Sequence, residues 1–84
     1  MTMFLAEVRV MLKPSVNDPQ GLSIRNALTT LGFEGVRDVR AGKLIVLTVE
    51  ANDEAAARAE IAQMADKLLA NPVIETFEVA ARAT

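Results

Sequence analysis

Histidine, cysteine, tyrosine and tryptophan are all missing from this sequence. Their absence removes the usual general base, the thiolate nucleophile and the imidazole and sulfur ligands of most transition-metal sites. Without cysteine there is no disulfide framework, and redox chemistry says nothing about the compartment. The aromatics are three phenylalanines, Phe4, Phe33 and Phe77, too scattered to form a base-stacking platform. There is no run of basic residues and the formal net charge is −2, whereas nucleic-acid phosphates are held chiefly by clustered Lys and Arg, so no nucleic-acid partner is expected. An RNA-binding sheet would carry aromatics on its central strand, and KLIVLTVE has none. The longest uncharged apolar run, LIVLTV, falls far short of the roughly 20 residues of a membrane span, so no membrane partner is expected either. The chain opens directly into alternating residues, with no basic stretch, apolar segment and small-residue cleavage site, and its expected location is the cytoplasm.

What is present reads as one globular domain over residues 1–84. Hydrophobic residues make up 51% and charged residues 24%, ordinary values for a folded chain. A domain of this size buries only about 60–65% of the surface its unfolded chain exposes, so little stability is to spare.

Residues 4–13 alternate: Phe4, Ala6, Val8, Val10 and Leu12 share one face, and Leu5, Glu7, Arg9, Met11 and Lys13 the other. This predicts a half-buried strand. The punctuated stretch LKPSVNDPQG ends it, because Pro14 cannot donate to a ladder and biases Lys13 to extended backbone. Asp18 followed by Pro19 predicts a helix start, with a carboxylate for free N–H groups and a proline whose fixed φ suits the first turn. Ile24, Ala27, Leu28 and Leu31 continue at helical spacing, and Gly32 fits the left-handed position that closes a helix. VRDVR and KLIVLTVE flank AGK, predicting a β-hairpin turned at Gly42. After Asn52 or Asp53 as a cap, EAAARAEIAQMADKLLA predicts a second helix with Ala57, Ile61, Met64, Ala65 and Leu68 on one face and Glu54–Arg58 as a supporting pair. Asn71 and Pro72 stop it, VIETFEVA alternates as a last strand, and the tail from about residue 80 to 84 is expected to fray. The order βαββαβ implies an α+β, ferredoxin-like fold, a four-stranded, mainly antiparallel sheet with both helices on one face.

In that arrangement residues 44–49 form a central strand that is apolar on both faces apart from Thr48. The helices cover only one face, so Leu44 and Val46, with Leu5 and Met11 from the neighbouring strand, face away from them. Covering three or four such side chains contributes roughly 5–10 kcal/mol gross, comparable with the whole stability of a small domain. A second copy is therefore expected to cover this face, or to exchange strands, giving a dimer or a dimer of dimers.

The remaining chemistry is thin. Glu50, Asp53 and Glu54 could be read as paired carboxylates or a hard-cation site, but negative charge at a helix N-terminus is expected from the helix dipole alone. Ser15, Ser23, Thr29 and Thr30 have no base partner. NDPQG at a helix start could cradle an anion, yet Asp18 would repel it and the spacing matches neither GxGxxG nor GxxxxGK[ST], which leaves a rigid connector. Lys13, Arg37, Arg40 and Lys43 are cations at strand ends, suited to solvent or to an acidic partner protein. No catalytic, cofactor-binding or metal-binding residue is assigned.

Taken together, VMLKPSVNDPQG, IRNALTTLGFEGVRDVRAGK and LLANPVIETFEV resemble the PurS family, the small subunit of phosphoribosylformylglycinamidine synthase in bacteria and archaea. The resemblance spans residues 4–79 and rests on Lys13-Pro14, Asp18-Pro19 with Gly21, Leu31-Gly32, Val39 with Gly42-Lys43, and residues 69–74, in order and at matching lengths. It implies a complex that makes formylglycinamidine ribonucleotide in purine synthesis from ATP and glutamine. A separate glutaminase subunit releases ammonia with a cysteine, and a large synthetase subunit binds ATP, magnesium and the ribonucleotide. By this resemblance the chain itself is non-catalytic and holds no cofactor. It would act as a dimeric bridge between the two subunits and help to form the ammonia path. The resemblance assigns no contact residues. The candidates are the exposed turns: the connector (Lys13, Pro14, Asp18, Pro19, Gly21), the hairpin (Arg40, Gly42, Lys43) and the Asn71-Pro72 turn. The runner-up is a small-molecule-binding regulatory module of the ACT type, which shares βαββαβ order but has a shorter glycine-bearing loop after its first strand.

Overall fold

The computed structural model describes all 84 residues. Three antiparallel strands form one sheet in the order β2-β1-β3. The central strand β1 spans Thr2–Leu12, with β2 (Gly42–Ala51) on one side and β3 (Glu75–Ala83) on the other. Its register runs from Thr2↔Ala51 to Met11↔Gly42 against β2, and from Phe4↔Ala83 to Leu12↔Glu75 against β3. The alternation of β1 sets what is inside. Phe4, Ala6, Val8 and Val10 are all buried, and Ile45, Leu47, Val49, Phe77 and Val79 continue the same face on the flanking strands.

Over that face lies α2 (Glu54–Met64), extended by one π-helical turn, Ala65–Leu69. Of the two possible caps the structure uses Asp53, whose carboxylate accepts from the Ala56 N–H at 2.7 Å. Ala57, Ile61 and Ala65 point into the sheet and are fully buried, so the small residues that favour the helix also let it sit close.

The first helix, α1 (Pro19–Thr30), begins and ends where the residues dictate. The Asp18 carboxylate accepts from the Gly21 N–H at 2.9 Å. Gly32, at φ 100°, closes the helix with Gly32 N–H donating to Thr29 O and Phe33 N–H to Leu28 O, the paired C-terminal bonds that need a left-handed residue.

Three expectations are corrected. The sheet has three strands, not four. Residues 36–40 form a loop, because their two valines, Val36 and Val39, are three apart and fall on opposite faces of any strand. With that strand missing, β2 is an edge strand and not a central one. Nor do both helices share the sheet face: Gly21 is the only buried residue of α1, and the helix stands clear of the sheet. The tail does not fray, since β3 runs to Ala83 with Ala81 opposite Ala6, and Thr84 N–H still donates to Met3 O.

Candidate interaction surface at one end of the sheet

Leu12 leaves the sheet opposite Glu75, and Gly42 enters it opposite Met11. The connector, the approach to β2 and the Asn71 turn therefore meet at one end of the sheet, although they are far apart in sequence. Lys13 N–H donates to Ile74 O at 2.8 Å, tying the connector to the segment before β3. The Arg40 guanidinium donates to Lys13 O at 3.0 Å and to Val16 O at 2.8 Å. The second Asp18 oxygen accepts from Ala41 N–H at 2.7 Å. One carboxylate and one guanidinium thus fasten the start of α1 to the chain that returns from it.

Asp18 is the one buried charged side chain. Its pKa is lowered, first by the Gly21 N–H, then by the Ala41 N–H, with smaller help from the Arg40 charge and the Gln20 N–H, against the opposing pull of burial. Charge-assisted bonds to two backbone donors favour the ionised form. The glycines have equally local reasons. A Cβ on Gly21 would lie 2.1 Å from Val39 O, and one on Gly42 would lie 2.4 Å from Val10 O.

Of the candidate contact residues, Lys13, Asp18, Gly21 and Arg40 converge in this clamp, with Gly42 and Lys43 beside it. Pro14, Pro19 and Lys43 stay exposed at its rim. Asn71 and Pro72 form an exposed turn in which Asn71 Oδ1 accepts from Val73 N–H and Glu75 Oε1 accepts from Asn71 N–H. A depression of about 270 Å3 lies at this end of the sheet, lined in part by Asp18, Gln20, Lys43 and Glu75. Asp18 and Gly21 are buried, so they shape this end without forming its surface.

The face away from α2 differs from the expectation. Leu5, Met11, Leu44 and Val46 do share it, with Leu44 and Val46 each 56% exposed. The register also places Glu7, Arg9, Glu78 and Arg82 among them. The apolar residues lie mainly on the β2 side and charge fills the rest. Glu50, Asp53 and Glu54 do not converge, and no group of acidic side chains is placed to hold a metal ion.

Sequence reading missed one role. Arg58 pairs with Glu54 at 3.3 Å, as its spacing indicates, but it also donates to Val79 O at 3.1 Å and Ala81 O at 3.5 Å on the outer edge of β3. Nothing in the local pattern signals this, because the partner carbonyls lie more than twenty residues away.

A family model described as PurS, phosphoribosylformylglycinamidine (FGAM) synthase, matches residues 5–83. The chain belongs to the PurS family. The phosphoribosylformylglycinamidine synthase subunit PurS of Synechocystis sp. is 50% identical over 70 residues, covering 83% of this chain and 70% of that one. Among solved structures, PurS of Methanocaldococcus jannaschii, described as one of the subunits of formylglycinamide ribonucleotide amidotransferase in the purine biosynthetic pathway, superposes with a TM-score of 0.87 at 36% identity. That match covers 96% of this chain and 98% of that one. A chain in the structure of PurLQS from Thermotoga maritima gives a TM-score of 0.87 at 33% identity with both chains fully covered.

Proposed function

We propose that this chain is the PurS subunit of phosphoribosylformylglycinamidine synthase in purine biosynthesis. In this reading it is a non-catalytic homodimer that joins the glutaminase and synthetase subunits and helps ammonia pass between them. ATP and magnesium would be bound by the large synthetase subunit, and the complex would act in the cytoplasm. The observation that carries the reading is the full-length match, in sequence and in fold, to a chain of PurLQS.

The surface proposed to meet the larger subunits is the end of the sheet where Pro14, Pro19, Lys43, Asn71 and Pro72 are exposed. The clamp of Asp18 and Arg40 holds that end in one shape before any partner arrives. A preorganised surface loses less conformational freedom on association, which is what a bridge needs. The ACT-type alternative draws no support from this connector, whose Gly21 is packed on Val39 O and whose amide donates to Asp18.

The test is reconstitution of the synthase from its glutaminase and synthetase subunits with and without this chain. Glutamine-dependent product formation should require the chain, while formation from added ammonium should not. Full glutamine-dependent turnover in its absence would overturn the reading.

A further inference from the structure

The turn that extends α2 breaks the pattern of the helix before it. Helical spacing predicts Leu68 on the buried face with Ala57, Ile61, Met64 and Ala65. The π-helical turn Ala65–Leu69 is wider, closed by Ala70 N–H donating to Ala65 O at 2.8 Å, so each residue in it advances less around the axis. Leu69 and Ala70 take the places against the core, and Leu68 is turned out to 82% exposure. Turns of this width are rare and recur at functional sites.

Leu68 opens a stretch, residues 68–74, with no charged side chain. Pro72, Val73 and Ile74 are exposed with it, Val73 at 76%. Scattered apolar side chains on a surface mean little, but these are held in one shape. Ile74 N–H and Glu75 N–H both donate to Asn71 O, at 3.1 and 2.7 Å, alongside the side-chain bonds of Asn71 and Glu75. The Lys13–Ile74 bond fixes the turn to the connector.

We infer that Leu68 and Val73 anchor this chain to the synthetase subunit by entering an uncharged, apolar-lined socket on that subunit. The inference deepens the proposed function and rests on it, naming the partner that meets this end of the sheet and the side chains through which it does so. Shape selects the occupant. Residues 71–74 are all exposed, so the turn is convex, and two convex turns touch only at their tips. The apolar surface on offer is on the order of a few hundred Å2, whereas a stable contact between two copies takes about 800 Å2 from each. A concave socket on a large body encloses the same side chains fully and supplies the rim that keeps water from them. The synthetase is the larger of the two partners in the proposed complex. An uncharged centre suits the core of such an interface, and a turn already fixed by hydrogen bonds loses little freedom on docking.

The test uses the full chain and the synthetase subunit, with affinity read by calorimetry. Leu68→Gln and Val73→Ser should each raise the Kd roughly tenfold or more, while Leu68→Met should stay within about threefold. Circular dichroism should be unchanged, because both side chains lie in solvent in the protomer. A photoreactive residue at position 68 should cross-link to the synthetase in the reconstituted synthase. Native affinity in both polar variants, or a cross-link to the glutaminase or to a second copy of this chain instead, overturns the inference. Glutamine-dependent turnover reports separately on the subunit reading. A native chain that supports turnover while its polar variants bind unchanged refutes the anchor alone, and a native chain that neither binds nor supports turnover refutes both.

Discussion

Asp18 sets the shape of one end of the molecule through two short bonds from backbone N–H groups. Because its folded pKa lies below the ordinary value of 3.8, its ionised form stabilises the fold in full above that value. The contribution is lost as pH falls through the lower, folded value. Acid titration of unfolding followed by circular dichroism should therefore show a loss below about pH 4 that Asp18→Asn flattens, with Asp18→Asn less stable than the native chain at pH 7. The glycines give a sharper contrast. Gly21→Ala pushes a Cβ into Val39 O and into Asp18 Oδ2, 2.8 Å away, and Gly42→Ala meets backbone at Val10. Each should cost roughly 1–3 kcal/mol in denaturant melts. Gly35→Ala has nothing within 4 Å and no left-handed φ, so it should be neutral or stabilise by up to about 1 kcal/mol through the unfolded state.

Elements were legible where residues stated both their period and their ends. The alternation of β1, the Asp18-Pro19 start and Gly32 stop of α1, and the alanine-rich α2 all appear where the sequence predicts them. VRDVR misled because punctuation on both sides suggested a strand, while its two valines do not share a face. The tail misled in the opposite sense. Alanines rank low as strand formers, but Ala81 packs opposite Ala6 in the core, and tertiary pairing overrides propensity. The candidate site was visible as three separate turns, and only the strand register brings them to one end. Arg58 belongs to this scale as well. Arg58→Ala should change stability by no more than about 1 kcal/mol, as expected of an exposed pair. It should nevertheless increase association of the purified protein in light scattering, because it uncovers the edge of β3.

The whole molecule is long and thin, 51 × 27 × 14 Å, with a radius of gyration of 16.4 Å where a compact chain of this length has about 12 Å. Only 12 of the 84 residues are buried, so the core has little redundancy. Ile61→Ala, which empties the largest fully buried side chain, should cost roughly 2–5 kcal/mol and leave the isolated protomer largely unfolded in urea titration at 25 °C. The register of Met11 opposite Gly42 has a further consequence. The excursion through α1 leaves and re-enters the sheet at neighbouring positions, so it is an enlarged hairpin loop fastened at its neck. Such a loop opens without dissolving the strands beneath it. Native-state hydrogen exchange should accordingly resolve two tiers, a fast one over residues 19–40 and a slow one over β1, β3 and α2, and swapping that excursion between relatives should leave the slow tier in place.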